Sequence, residues 1–127
     1  MKISLDNRQI CDMALFSFLK IIAKINKVQH ILDYRKDEEL KLRMPNYKVE
    51  MGFGLHQGWA IEGAIGSFFK IDASYLSPNV NMASRLQAAS KQYGVYILVS
   101  HLFYYVLTPE VREICREIDR ITVKGSN

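Results

Sequence analysis

Between Asn26 and Tyr47 the hydrophobic period of this sequence switches from the helical value to the strand value, and that switch limits what the chain can become. From Asp6 to Asn26 the apolar residues Ile10, Ala14, Leu15, Phe18, Leu19, Ile22 and Ile25 recur at three and four, as on a one-sided helix. Charged residues from Asp33 to Arg43 and the Met44-Pro45-Asn46 stop then predict a polar connection with room for a short helix. From Tyr47 the period is two: Tyr47, Val49, Met51, Phe53 and Leu55 alternate with Lys48, Glu50, Gly52, Gly54 and His56. A second run, Trp59 to Ile65, alternates after Gln57-Gly58, and the two together predict a hairpin. Gly52, Gly54 and Gly63 would weaken isolated strands, so they mark places where another element or a ligand comes close to the backbone.

The second half continues in mixed form. Pro78 to Gln92 predicts a helix with Val80, Ala83, Leu86 and Ala89 on one stripe and Gly94 placed to stop it. Val95 to Val99 reads as a short strand, Ser100 as the cap of a helix through Leu107, and Thr108-Pro109-Glu110 as the start of another. Ile118 to Val123 alternates once more and predicts a final strand. The fold class is therefore α+β, with a mostly antiparallel sheet and helices packed on it.

With 127 residues the chain is long enough for one domain, residues 1–127, and too short for two. Its net charge of +4 comes from dispersed residues; it suits an anionic small ligand and calls for no nucleic-acid partner. Cys11 and Cys115 lie far apart among apolar neighbours without metal-ligand spacing, the usage of reduced thiols in an intracellular protein. Lys20 and Lys24 interrupt the Leu15 to Ile25 segment, which rules it out as a membrane span.

Chemistry concentrates at the start of the Pro78 helix. Asn81 and Arg85, four apart, project from one face. A guanidinium offers a planar fork of donors to phosphate oxygens, a carboxamide fixes a hydroxyl, and a helix N-terminus favours an anion. The same pair also suits an ordinary solvated helix face, so the spacing alone does not decide.

The surrounding motifs do. The run Met51-Gly52-Phe53-Gly54-Leu55-His56-Gln57-Gly58, followed by Trp59 to Ser67 ending in Ile-Gly-Ser, resembles the hairpin of class III adenylate and guanylate (nucleotidyl) cyclases. Asp72 to Asn79 and then Val80-Asn81-Met82-Ala83-Ser84-Arg85-Leu86 follow at that family's interval, so the resemblance runs from about Tyr47 to Gly125. It implies a ferredoxin-like cyclase-type fold and conversion of ATP or GTP to the 3′,5′-cyclic nucleotide and pyrophosphate. By resemblance Asn81 orients the ribose, Arg85 stabilises charge on the α-phosphate, Lys124 holds the outgoing phosphates and Ser74 reads the purine. A hydroxyl donates or accepts, so Ser74 does not choose between adenine and guanine.

Two departures accompany the resemblance. Ser77-Pro78 replaces the family's Gly-Asp pair, which is expected to reshape the loop into the catalytic helix. The family's two metal aspartates, which hold Mg2+ or Mn2+, precede the helix that here begins near Asp6; the expectation is a domain truncated on its N-terminal side, without metal ligands of its own. Asp6, Asp12, Asp33 and Asp37 lack the flanking strand or glycine and are not assigned that role. Cyclase sites form between two domains, so the resemblance implies a second cyclase domain as partner, in a homodimer or heterodimer. The alternative is a noncatalytic cyclase-like dimerisation or nucleotide-binding module. His56 reads as a turn residue rather than a general base, His30 and His101 have no ligand partners at suitable spacing, and Phe103-Tyr104-Tyr105 reads as packing for the last helix. Glu62 faces either solvent or an interface.

Overall fold

The computed structural model describes residues 5–122. Helix α1 (Leu5–Ile25) is followed by two short helices, α2 (Gln29–Asp33) and α3 (Glu38–Arg43), in the polar connection. Asp37 caps α3 by accepting a hydrogen bond from the Leu40 amide at 2.9 Å. Strand β1 (Phe53–Leu55) comes next, then β2 (Ile61–Ser67) and β3 (Lys70–Leu76), helix α4 (Pro78–Gln92), strand β4 (Ile97–Val99), and helices α5 (His101–Val106) and α6 (Pro109–Glu113). Helix and strand are mixed as the sequence predicts, in two small sheets: β1 with β4, parallel, and β2 with β3, antiparallel.

The pairing corrects the predicted hairpin. The run ending at Leu55 does not pair with the run that begins at Trp59; Phe53, Gly54 and Leu55 lie opposite Ile97, Leu98 and Val99 instead. The hairpin is β2 with β3, Ile61 opposite Leu76 through Ser67 opposite Lys70. Its turn is Phe68-Phe69, which carries none of the Asn or Gly that announces a two-residue turn. The predicted strand from Tyr47 shrinks to three residues because β4 offers a ladder of only that length.

The core is compact. Leu15 of α1, Leu55 at the end of β1, Phe103 and Leu107 around α5, and Val111 of α6 form one buried cluster, with Cys11, Phe18, Ile97, Val99 and Cys115 packed against it. Leu107 is fully buried. The face of α1 that packs inward thus runs through Cys11, Leu15 and Phe18, and the Phe18 ring meets Phe53 at 4.8 Å between centroids. Ile10, Met13, Phe16 and Leu19 point outward, so α1 is apolar on more than the one face its periodicity suggested.

Asp12 ties α1 to α6. Its carboxylate accepts from the Thr108 amide at 3.1 Å and from the Thr108 hydroxyl at 2.7 Å. Thr108 stands at the predicted N-cap of α6, but its hydroxyl caps no first-turn amide and is held by the α1 carboxylate instead. The strand predicted from Ile118 does not form over the described residues through Thr122. Instead the Tyr93 hydroxyl donates to Asp119 at 2.7 Å, which fastens this segment beside the end of α4 without a ladder.

Candidate functional site

Helix α4 has the bounds its sequence predicts, and both ends show why. Ser77 is the N-cap, its hydroxyl accepting from the Asn79 amide at 3.0 Å, and Pro78 occupies the first helical position. Gly94 adopts φ +63°, and the Gly94 and Val95 amides return to the carbonyls of Lys91 and Ser90 at 3.3 and 3.0 Å. This is a Schellman stop, which requires the left-handed residue that glycine supplies. The Ser77-Pro78 departure thus carries a structural role: it starts the helix.

The same helix lies directly on β1. A Cβ on Gly54 would overlap the carbonyl of Ala83 and the amide nitrogen of Gln87, and a Cβ on Gly52 would overlap the hydroxyl of Ser90. Ser90 is 1% exposed and donates to the Gln87 carbonyl at 2.7 Å. Close backbone approach, expected at three glycines, holds at Gly52 and Gly54. It fails at Gly63, where a Cβ would meet nothing within 4 Å.

Asn81 and Arg85 sit in the first two turns of this anchored helix, and both are exposed. Among the described residues neither makes a side-chain hydrogen bond or ion pair, so their donors are free for a ligand. The surface they present is open. A concavity of about 380 Å³ lined by Arg35, Lys41, Asn46, Tyr47 and Lys48 involves no α4 residue. Ser74 is half-buried in β3, opposite Gly63, three residues before the α4 cap. Lys124 lies outside the described residues.

Around the head of α4 is a polar cluster that spacing alone did not reveal. His56 Nδ1 is 2.8 Å from the Ser100 hydroxyl and Nε2 is 3.0 Å from Asn79 Oδ1. Asn79 Nδ2 and the Ser77 hydroxyl both donate to the Trp59 carbonyl, at 2.8 and 2.6 Å. Ser100 caps α5 as predicted, accepting from the Phe103 amide at 3.2 Å. His56 is therefore a tie between elements rather than a turn residue of the expected hairpin. Its partners are 23 and 44 positions away in sequence, beyond any local motif.

On the hairpin, Glu62 stands opposite Tyr75 and accepts from its phenol, which pushes the Tyr75 hydroxyl above its ordinary range. Every residue of β2 and β3 except Ser74 is exposed, and Phe68 and Phe69 at the turn are 96% and 95% exposed. The phenols Tyr104 and Tyr105 flank Arg112, whose guanidinium lies 5.7 and 5.9 Å from their ring centres. Burial raises both thiols, Cys11 further through its neighbour Asp12.

Metal donors do not gather. Among the described residues no group of three His, Cys, Asp or Glu side chains is placed to hold a metal ion. The described residues thus do not fit a divalent-ion centre. No helix of the described residues is long and apolar enough to cross a membrane.

Fold and site together define a small α+β domain that offers an amide and a guanidinium from the head of one rigidly seated helix. The sequence matches the adenylate and guanylate cyclase catalytic domain over residues 2–127, and the chain belongs to that family. It is similar to an adenylate cyclase of Anabaena cylindrica, 31% identical over 79% of this chain and 20% of that protein. It is similar also to the terminal-differentiation specific adenylate cyclase of Dictyostelium discoideum, 31% identical over 62% of this chain and 4% of that protein. With adenylate cyclase 1 of Rhizobium meliloti (strain 1021) it shares 33% identity over 45% of the chain and 8% of that protein. The chain thus spans a fifth or less of the length of these relatives. No solved structure gives a significant match.

Proposed function

We propose that this chain supplies the ribose- and phosphate-contacting share of a nucleotidyl cyclase site completed by a second cyclase domain. In the reaction the ribose 3′ oxygen bonds to the α-phosphorus, the bond from that phosphorus to the bridging oxygen breaks, pyrophosphate leaves, and the hydroxyl proton passes to solvent. Asn81 orients the ribose so that the 3′ oxygen lies in line, and Arg85 meets the charge that grows on the α-phosphate oxygens. Lys124 holds the outgoing phosphates and Ser74 contacts the purine, ATP or GTP alike. The single observation that carries this reading is the exposure of Asn81 and Arg85 on one face of a helix fixed at both ends. A preorganised donor costs little to align when charge develops, and a fixed helix is what preorganises it.

The partner is a second cyclase domain because the hairpin needs cover. A two-stranded ribbon exposed on both faces is marginal in water, and here Ile61, Ile65, Ile71, Tyr75 and Leu76 accompany the two turn phenylalanines on it. The carboxylates that would hold Mg2+ or Mn2+ come from the second cyclase domain.

The test is direct. Mixed with a cyclase domain that carries intact metal carboxylates, the chain should yield cyclic nucleotide from ATP or GTP with Mn2+, and Arg85→Ala should abolish it. Alone the chain should give none. The second reading, a noncatalytic dimerisation module, draws on the exposed hairpin and on the absence of a metal cluster among the described residues. Binding to the partner domain without any product, at every nucleotide tried, would select it.

A further inference from the structure

The cluster at the head of α4 obeys a stricter logic than proximity. Asn79 Nδ2 donates to the Trp59 carbonyl, so Asn79 Oδ1 faces His56 as an acceptor. A flipped amide would set its oxygen against that carbonyl. His56 Nε2 must then carry a proton, and in a ring with that one proton Nδ1 keeps its lone pair and accepts from the Ser100 hydroxyl. The Ser100 oxygen in turn accepts from the Phe103 amide, and the Ser100 amide donates to the Leu55 carbonyl at 3.0 Å. The two lone pairs of the Trp59 carbonyl are both occupied, by Ser77 and Asn79.

We propose that His56, as its Nε2–H tautomer, is a positioning residue that locks the head of α4 to the end of β1 and the start of α5. Resting on the cyclase reading of α4, it sets where Asn81 and Arg85 stand. The lock has no slack on its far side: Asn79 lies so close to Gly58 that any Cβ there would overlap the carboxamide. Asn79 is the second residue of α4, two before Asn81 and six before Arg85, so a shift of its side chain is passed along one rigid rod. Both ring nitrogens of His56 are engaged, which leaves it no free lone pair with which to act as a general base.

Two measurements on the 127-residue chain decide the lock independently of catalysis. Long-range 15N–1H spectra of the imidazoles should show His56 as the neutral Nε2–H form with a bare Nδ1; an Nδ1–H form, or rapid averaging of the two, overturns the proposal. Amide hydrogen exchange should rise roughly tenfold in the first two turns of α4 in His56→Ala, as expected from losing two neutral hydrogen bonds, with Leu15 and Phe18 of α1 unchanged. His56→Gln, which can both donate and accept, should recover part of that protection. Unchanged α4 exchange in His56→Ala overturns the proposal, as does loss of protection spread evenly over the chain. Catalysis separates the lock from the function it rests on. In the mixed-domain assay His56→Ala should lower kcat roughly tenfold and KM little, because ligand groups remain but are misplaced. If Arg85→Ala leaves turnover unaffected while the exchange and tautomer results hold, the cyclase reading falls and the lock stands. If Arg85→Ala abolishes turnover and His56→Ala alters neither turnover nor exchange, the lock falls and the reading stands.

Discussion

Replacing Gly54 with alanine places a methyl group where β1 meets the middle of α4. The new carbon would overlap the Ala83 carbonyl and the Gln87 amide nitrogen and would stand 2.9 Å from the Leu86 Cβ. Two of these three neighbours are backbone atoms inside a hydrogen-bonded helix, so no side-chain rotation relieves the clash. The helix must retreat by about an ångström, the kind of overpacking that costs about 1–3 kcal/mol. Alanine returns about 0.5–1 kcal/mol by restricting the unfolded chain, so the net loss is about 1–2 kcal/mol. Gly63→Ala is the matched control: a Cβ there meets nothing within 4 Å, and only the favourable term remains. The two variants should therefore differ by about 2 kcal/mol, or about 8 °C in Tm for a domain of this size. Urea and thermal denaturation of the two purified chains, followed by far-UV circular dichroism, read this directly. A Gly54→Ala chain as stable as Gly63→Ala would refute the claim that α4 is seated on a glycine track.

The other expectations concern charge, thiols and the exposed ribbon. Asp12→Ala should cost about 1–2 kcal/mol in urea unfolding, since it strips two hydrogen bonds from Thr108 and cuts the tie between α1 and α6; a loss below about 0.3 kcal/mol, roughly the error of such a measurement, would count against that anchor. Burial holds the Cys11 and Cys115 thiols above their ordinary value, so the folded chain keeps protons that the unfolded chain loses. Stability should then be level with respect to these groups below about pH 8 and fall as the pH climbs past the unfolded thiol value of about 8.5, seen as urea midpoints that drop in alkali. Iodoacetamide at pH 8 should modify the folded chain more slowly than the urea-unfolded one. In the mixed-domain assay Arg85→Ala should raise the barrier by about 3 kcal/mol or more, read as kcat/KM. Phe68→Ser with Phe69→Ser should weaken binding to the partner domain in sedimentation while leaving the monomer's Tm within about 2 °C, because both rings are already in solvent.

Elements governed by local rules were legible in the sequence, and elements governed by remote partners were not. Helix α4 could be read from end to end because Pro78 and Gly94 each act within four residues of their own position; its Ser77 cap, equally local, was passed over. The Ser100 cap was legible for the same reason. The strand from Tyr47 was misjudged in length and in partner because alternation reports that one face is buried and says nothing of what lies alongside. β3 was missed, although Ile71, Ala73 and Tyr75 alternate, because the turn before it is two phenylalanines rather than a recognisable turn pair. Within the candidate site, Asn81 and Arg85 were visible by their spacing and by the family motif. His56 was visible only as a histidine near glycines, since its meaning depends on Asn79 and Ser100.

The protein divides its rigidity unevenly, and the division suits a shared site. Helix α4 is capped at both ends, seated on two glycines and tied through Asn79 to His56, so the backbone that carries Asn81 and Arg85 is held in place, as the roles proposed for these two residues require. The β2–β3 ribbon, by contrast, has Tyr75 on Glu62 and Lys70 on Asp72 as its side-chain ties, both within the ribbon and both in solvent. A donor group that must meet charge in the transition state gains from being fixed before the nucleotide arrives, because the cost of ordering it is then borne in folding. A surface that must find another domain gains from apolar area left uncovered until that domain arrives, because burial then supplies the driving force for association. Loosening α4 should therefore lower kcat at a given degree of assembly, whereas making the ribbon polar should lower the degree of assembly at a given kcat. Titrating the partner domain against Gly54→Ala and against the double phenylalanine variant separates the two, since saturating partner should restore full turnover only in the second.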